Sequence, residues 1–169
     1  MSNIDLDKVL IPAARQGETE VVRELIKQGA DINTRDEKGY TPLIIACYNN
    51  QLATAELLLA AGADINLADF GGNTALMGAS FKGYVEIVKL LIAAGADLNC
   101  QHGNGGTALM FAAMFGRNDA LKVLLENGAN IDVTDNRGNT AESYAALQGN
   151  SDGLALLSSA QDSTSQTAV

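Results

Sequence analysis

Apolar residues recur along the chain in short blocks with helical spacing. In one block they fall on a single helical face, at Leu52, Ala55, Leu58 and Leu59. The same spacing returns 33 residues later, at Val85, Val88, Leu91 and Ile92. Residues three and four positions apart lie on the same side of an α-helix, so these blocks predict short helices with one buried face. The pattern favours an all-α protein.

Small and polar residues separate the helices, and they repeat with a constant period of 33. A Gly-Ala-Asp or Gly-Ala-Asn triplet occurs at residues 29–31, 62–64, 95–97 and 128–130. Three further series keep the same register, at Gly39, Gly72, Gly105 and Gly138, at Thr41, Thr74, Thr107 and Thr140, and at Gly17, Asn50, Gly83, Gly116 and Gly149. A constant period without insertions indicates a stack of one supersecondary unit.

Each unit is predicted to consist of a helix, a turn, a second helix and a loop. Thr41 precedes Pro42, a pair typical of a helix start, because the hydroxyl caps a backbone N–H and proline has none to satisfy. Asn50 stands where other units have glycine, as expected for the left-handed residue that ends a helix. Two short helices cannot bury their apolar faces alone, so neighbouring units must stack into a solenoid.

The period also sets the expected repeat boundaries. One domain is predicted over residues 1–160, with an N-terminal cap repeat (3–35), three full repeats (36–68, 69–101 and 102–134) and a C-terminal cap repeat (135–160). Residues 161–169 are rich in Ser, Thr and Gln without an apolar pattern, which predicts a disordered tail. Its end, Thr167-Ala168-Val169, is either a C-terminal ligand for a PDZ-type groove or a frayed terminus.

The motif residues resemble the ankyrin repeat. The resemblance rests on Asp36-x-x-Gly39-x-Thr41-Pro42-Leu43 and on Gly62-Ala63-Asp64-Ile65-Asn66. It implies an ankyrin-repeat solenoid of stacked helix-turn-helix units with projecting loops, and a general protein-binding scaffold whose partner depends on variable surface positions. One departure is the family's histidine after Thr-Pro-Leu, which is replaced by Ile44, Met77, Met110 and Ser143.

A second departure lies two residues after that histidine position, where the family usually has leucine. The successive repeats have Ile45, Gly78, Phe111 and Tyr144. Glycine within a helix is unfavourable by roughly 1 kcal/mol relative to alanine, so Gly78 needs a reason. We expect the ring of Phe111 to occupy the room that Gly78 leaves across the repeat interface.

Composition narrows the partners that such a scaffold would bind. Apolar residues make up 47% of the chain and charged residues 18%, which is enough to form a core. A formal charge of -9 and a pI near 4.4 disfavour nucleic acid and anionic membranes, which are bound chiefly through Lys and Arg. With no signal peptide and no apolar run of about 18 residues, a soluble cytoplasmic protein is expected.

Residue types that carry chemistry are sparse and scattered. The single histidine, His102, stands where the two preceding repeats have Asp36 and Asp69, and a solvent-exposed turn residue is expected there. The stretch 103–106 is glycine-rich but lacks the following Lys-Ser or Lys-Thr of a phosphate-binding loop. The sequence therefore predicts no enzyme activity, no cofactor and no metal.

The two cysteines and the Asp-x-Asn spacing have simple interpretations. Cys47 and Cys100 are 53 residues apart and are expected to be buried, unreactive thiols. The Asp of each Gly-Ala-Asp triplet is followed two positions later by Asn, as in Asp64 and Asn66. This spacing suggests either calcium ligands or, more simply, side-chain hydrogen bonds that stabilise the loop.

The resemblance also implies where a partner would bind, namely at the loop tips and at the ends of the first helices along the concave side. The first-helix ends have Arg15, Tyr48, Phe81, Met114 and Leu147, followed in two repeats by Lys82 and Phe115. The loop tips add Tyr40, Phe70 and Arg137. At a repeat spacing of about 10 Å, the residues from Tyr48 to Leu147 would form a stripe about 30 Å long.

Five of the eight aromatic residues fall on these positions, and two interpretations follow. Exposed apolar groups indicate a surface that another protein covers, with Arg15, Lys82 and Arg137 as its polar rim. Alternatively, the side chains pack between repeats and contribute to stability only. The favoured function is a non-catalytic adaptor or accessory protein that binds another protein on its concave face as a monomer. A structural protein that self-associates through the same stripe is the alternative.

Overall fold

The computed structural model describes residues 5–166, and within that range the chain forms ten helices and no strand. Each of the five expected repeats contains one helix pair. The helices are α1 (Leu6–Gln16), α2 (Thr19–Lys27), α3 (Pro42–Tyr48), α4 (Leu52–Ala60), α5 (Ala75–Lys82), α6 (Val85–Ala93), α7 (Ala108–Met114), α8 (Asn118–Glu126), α9 (Ala141–Leu147) and α10 (Ser151–Gln166). The all-α prediction is confirmed.

Helix starts and ends follow the local sequence as predicted. Thr41 Oγ1 accepts a hydrogen bond from the backbone N–H of Ile44 at 3.2 Å, and the equivalent threonines of the next three repeats cap their helices in the same way. Loss of such a cap typically costs about 1 kcal/mol. Asn50 has φ 59°, the left-handed conformation expected from its place in the glycine series.

The core consists of apolar residues that recur at the repeat period and stack across the array. One buried column comes from the first helices, at Leu10, Leu43, Leu76 and Leu109. Another comes from the second helices, at Leu25, Leu58, Leu91, Leu124 and Leu157. Burial of each leucine contributes about 1.5–3 kcal/mol, and the stacking of neighbouring repeats provides that burial.

First helices of adjacent repeats pack against each other more extensively than second helices do. The array therefore curves, with α1, α3, α5, α7 and α9 on the inner, concave side. The loops project beyond the first helices as turns, and Ala68 and Thr74 form an isolated bridge across one of them. The inner helices and these loops together form an open groove.

Hydrogen bonds tie each loop to the next repeat. Asn66 donates its backbone N–H to Asp64 Oδ1 at 3.1 Å, and its own Oδ1 accepts from the backbone N–H of Asp97 at 2.9 Å. Asn33 and Asn99 accept in the same way from the following repeats. The loop-stabilising interpretation of the Asp-x-Asn spacing is confirmed, and these bonds hold the repeats in register.

The C-terminal helix differs from the sequence expectation. Helix α10 continues to Gln166, so residues 161–166 are helical where a disordered tail was expected from residue 161. Leu157 is buried and Leu154 packs against the core, and a helix anchored in this way can propagate into a polar segment. The PDZ-ligand hypothesis concerns Thr167-Ala168-Val169, which lie outside the described residues.

Candidate partner-binding groove

Three aromatic rings at the ends of the first helices form a continuous row. The Tyr48 and Phe81 rings are nearly parallel, with centroids 6.2 Å apart and an interplanar angle of 8°. Phe115 meets Phe81 edge-on, with centroids 4.5 Å apart. We call Tyr48, Phe81 and Phe115 the aromatic row. The sequence placed Met114 next to Phe81 in this stripe, but the ring contact comes from Phe115, and Met114 lies half-buried beside it.

The row is only partly covered by the chain itself. Phe81 is half-buried between its two neighbours, whereas Tyr48 and Phe115 are each 41% exposed. Leu147 at the end of α9 is 71% exposed, and Phe70 at a loop tip is 72% exposed. Phe81 thus contacts a ring on each side, while its neighbours keep large apolar surface in contact with water.

Lys82 lies directly beside the row. Its Nζ is 4.8 Å from the centroid of the Tyr48 ring, within the range of a cation–π interaction. Arg117 Nε donates to the backbone oxygen of Phe81 at 3.0 Å, and Gln51 Nε2 donates to that of Arg15 at 3.1 Å. These bonds satisfy carbonyls at the ends of the first helices from the following repeat, and so fix where the row sits.

The expected packing of Phe111 against Gly78 is wrong. A Cβ atom built on Gly78 would lie 3.4 Å from Tyr48 Cδ2, and no atom of Phe111 lies within 4 Å of it. Phe111 turns instead toward His102, with ring centroids 5.2 Å apart. The backbone of Gly78 thus lies near Tyr48 of the preceding repeat, and the space on the side of Phe111 stays open.

That open space is a cavity of about 390 Å³, which we call the Gly78 cavity. Its apolar wall includes Ile45, Met77 and Phe111, and Tyr48 and Phe81 of the aromatic row also line it. Its polar lining comes from Arg15, Tyr40, Asn49, Asp69, Asn73 and Thr74. Tyr40, predicted at a loop tip, is half-buried here and packs against the core.

A second cavity of about 270 Å³ lies further along the groove and contains His102. The histidine is half-buried, not the exposed turn residue expected, and its Nδ1 accepts from the backbone N–H of Asn104 at 2.9 Å. This bond replaces the one that Asp36 makes with the N–H of Lys38. The ring fits because Gly106 has no side chain, since a Cβ there would lie 2.7 Å from Nε2.

Tyr144 and Asp135 form the polar end of this second cavity. The Tyr144 hydroxyl donates to Asp135 Oδ2, and the backbone N–H groups of Arg137 and Asn139 donate to Oδ1 at 2.9 Å. The hydrogen bond from Tyr144, followed by that from Asn139, lowers the pKa of Asp135 to about 2. The same contact raises the pKa of Tyr144, because its ionised form would face a carboxylate.

Basic side chains divide into two groups across the described structure. Five form ion pairs, and four of these lie on second helices, at Arg23, Lys27, Lys89 and Lys122. The fifth pair joins Lys8 to Asp5. Among the described residues, the cations without an ion pair are Arg15, Arg35, Lys38, Lys82, Arg117 and Arg137. A third cavity, beside helix α1, is lined by Arg15, Arg35 and Lys38 together with the carboxylates of Asp5, Asp7, Asp36 and Glu37. Apart from Arg117, the cations without an ion pair line one of the three cavities or flank the aromatic row.

The two cysteines differ from each other. Cys47 is buried, and burial raises the pKa of its thiol to about 12. Cys100 is half-buried and therefore more accessible than expected, and burial followed by the nearby Asp97 carboxylate raises its pKa. Both are free thiols. Neither contributes to the groove, and residues 5–166 contain no group of three His, Cys, Asp or Glu side chains arranged to hold a metal ion.

Paired helices, loops that project from each repeat and an open groove define a helical repeat protein. Residues 2–69 and 76–167 match the family model described as ankyrin repeats (3 copies). The chain therefore belongs to the ankyrin-repeat family, whose repeats are protein-interaction modules. None of the described helices combines the length and the apolar character needed to cross a membrane.

Curated relatives match over short stretches. Protein phosphatase 1 regulatory subunit 27 of Homo sapiens is 57% identical over 35 residues, or 21% of this chain and 23% of that protein, and the Mus musculus protein matches equally. Ankyrin repeat domain-containing protein 49 of Drosophila melanogaster is 39% identical over 54 residues, 31% of this chain and 25% of that protein. Each match thus spans about a quarter of the relative's length.

Proposed function

We propose that this chain is a non-catalytic adaptor or accessory protein that docks another protein in its concave groove. One observation carries the proposal: the aromatic row is continuous, yet Tyr48 and Phe115 are each 41% exposed. Large apolar side chains exposed to water are unfavourable, and a partner that covers them gains the free energy of their burial. The proposed contact residues are Arg15, Tyr40, Tyr48, Phe70, Phe81, Lys82, Met114, Phe115, Arg137 and Leu147.

The shape of the groove favours a protein partner. Its cavities are open and joined by exposed aromatic surface, whereas sites for small molecules enclose most of the ligand. Aromatic residues near the centre with arginine and lysine at the edge are the composition of a protein interface. The name of the human relative, a regulatory subunit of a phosphatase, supports an accessory role.

Affinity capture with matched surface variants tests the proposal. Tyr48→Ser and Phe115→Ser remove exposed groove side chains, and Val21→Ser removes one of similar exposure, 43%, from helix α2. Proteins captured by the wild type should be lost from both groove variants and retained by Val21→Ser. Capture that is unchanged in both groove variants would exclude the aromatic row as the binding surface.

Self-association through the same row is the alternative function. Light scattering on size-exclusion fractions distinguishes the two, because self-association gives a dimer mass that Phe115→Ser reduces to that of a monomer. A wild-type monomer mass across the accessible concentration range supports the adaptor role. A dimer that Phe115→Ser dissolves would replace that role with the structural one.

A further inference from the structure

The Gly78 cavity exists because one repeat lacks a side chain that its neighbours have. The equivalent positions hold Ile45, Phe111 and Tyr144. Gly78 does not have a positive φ, so its backbone conformation suits any residue. A Cβ atom there would make only ordinary contacts with Tyr48, at 3.4 and 4.0 Å. Neither backbone geometry nor packing requires glycine, although glycine weakens a helix.

What the glycine provides is an apolar hole in the middle of the proposed binding surface. The cavity volume of about 390 Å³ leaves room for one large apolar side chain. Ile45 and Met77 in its wall are buried and come from consecutive first helices, so the wall is rigid. Anchor residues at interfaces fill desolvated pockets of this kind, near the centre of the contact.

Charges around the cavity indicate what should flank such an anchor. Arg15 lines the cavity and has no carboxylate partner among the described residues. Lys82 also lacks one, and its Nζ lies 4.8 Å from the centroid of the Tyr48 ring. The carboxylate on the cavity wall, Asp69, accepts 2.8 Å hydrogen bonds from the backbone N–H groups of Gly71 and Asn73. It is therefore committed to its own loop.

We infer that the Gly78 cavity binds one large apolar side chain, Phe, Leu or Met, from an acidic segment of the partner protein. Aspartate or glutamate residues beside that anchor pair with Arg15 and Lys82. The overall charge of -9 opposes an acidic segment at long range, but charges further away than about 8 Å are largely screened at physiological salt, so the cations at the cavity decide the local interaction. The inference rests on the proposed function and adds the chemistry of the occupant.

Peptide display tests the inference without knowledge of the partner. Random peptides of about twelve residues, displayed on phage, are selected on the immobilised wild-type protein at physiological salt. The enriched peptides should share one Phe, Leu or Met next to Asp or Glu. The best peptide is then synthesised with a fluorescein label, and its affinity for each variant is measured by fluorescence polarisation.

Variants in the cavity and on its rim give the expected pattern. Gly78→Leu fills the cavity and should weaken peptide binding at least about tenfold without lowering the thermal midpoint. Gly78→Ala, whose Cβ would contact Tyr48 at 3.4 and 4.0 Å, should weaken it less and guards against misfolding of the leucine variant. Arg15→Glu and Lys82→Glu should each weaken binding about fivefold or more, while Lys89→Glu on helix α6 leaves it unchanged.

Other outcomes separate this inference from the proposed function. Enrichment of basic or uncharged peptides would overturn the acidic occupant. Full affinity in Gly78→Leu together with loss in Tyr48→Ser would overturn the cavity but leave groove binding intact. If neither cavity nor row variants affect the selected peptides, both proposals fail. A wild-type dimer that Gly78→Leu converts to a monomer would identify a second copy of this chain as the occupant.

Discussion

On the outer side of the array, basic side chains form ion pairs within their own helix, whereas those along the groove, apart from Lys8, form none. Lys89 Nζ lies 2.9 Å from Glu86 Oε1, and Arg23 Nε lies 3.3 Å from Glu20 Oε2, each three residues away. Lys82, in the same repeat as Lys89, faces an aromatic ring and no acid. Pairs such as those on the outer helices stabilise by about 0.3–0.5 kcal/mol.

The apolar residues divide in the same way. Second helices turn large leucines inward at every repeat, and of the described exposed large apolar side chains only Val21 lies on one of them. The groove side leaves Tyr48 and Phe115 partly in water, together with Leu147 and Phe70. Exposed apolar surface and cations without an ion pair are therefore both concentrated on the groove side. Neither feature stabilises the stack of repeats, so we attribute both to the binding of a partner.

The largest expected effect comes from breaking the aromatic row at its centre. Phe81→Ser removes ring contacts to both Tyr48 and Phe115, so we expect a loss of about 2 kcal/mol in the free energy of unfolding. Binding of the groove ligand should weaken as well. Phe70→Ser is the control, since its 72% exposed ring forms no pair and its loss should cost less than about 0.5 kcal/mol. Urea denaturation measures the change in stability of both variants. An unchanged midpoint in Phe81→Ser would contradict the packing role of that ring.

The next largest expected effect is an increase in stability, from a substitution at Ser80 beneath the groove. Ser80 is fully buried, and its Oγ is the one buried side-chain oxygen or nitrogen in the described structure without a hydrogen-bond partner. Equivalent positions hold Ala14, Cys47 and Ala113. Ser80→Ala should therefore stabilise the protein by up to about 1 kcal/mol.

A hydroxyl in the same repeat gives the matched control for Ser80. Thr74 is also buried, but its Oγ1 accepts from the backbone N–H of Met77. Thr74→Ala should destabilise by about 1 kcal/mol, the opposite sign, through loss of the helix cap. Thermal denaturation of the two variants side by side is sufficient. Destabilisation in both would mean that Ser80 Oγ has a partner after all.

Local interactions were predictable from the sequence, because they depend on residues a few positions apart. The threonine caps and the Asp-x-Asn turns follow from spacing alone, and the repeat period predicted the stacking. Which rings touch was not predictable, because it depends on side-chain directions at the helix ends, where Phe115 and not Met114 reaches Phe81. The Gly78 cavity was missed for the same reason, since Phe111 had another neighbour available in His102.

One missed feature did have a sequence signal. Gly106 stands where other repeats have Tyr40, Asn73 and Asn139, in the same repeat where histidine replaces aspartate. Two departures in a single loop, four residues apart, indicate that one compensates for the other. The structure gives the reason, because the His102 ring fills the space beside Gly106.

Removal of a lysine from either face should have only a small effect on stability. Lys82→Ala removes the contact with the Tyr48 ring, and Lys89→Ala removes an exposed ion pair, so each should change the free energy of unfolding by about 0.5 kcal/mol or less. Their effects on binding should differ. Lys82→Ala should weaken the peptide selected on the groove and flatten the salt dependence of its affinity, and Lys89→Ala should do neither. Equal salt dependence in both variants would remove the distinction between the two faces.

The smallest expected effect is a change in the pKa of Asp135, at the far end of the groove. Because the Tyr144 hydroxyl donates to the ionised carboxylate, it holds the pKa of Asp135 at about 2, and Tyr144→Phe should raise that pKa toward its ordinary value of about 3.9. A lowered folded-state pKa stabilises the fold above the unfolded value, and that contribution is lost as pH falls through about 2. The two proteins should thus differ in stability above about pH 4 and converge below pH 2. Carboxyl ¹³C NMR titration measures the shift directly, with Tyr40→Phe in another repeat as the control that leaves Asp135 unchanged. An Asp135 titration that Tyr144→Phe does not move would assign the low pKa to the backbone N–H groups of Arg137 and Asn139, and the loop, not the groove wall, would then set the charge there.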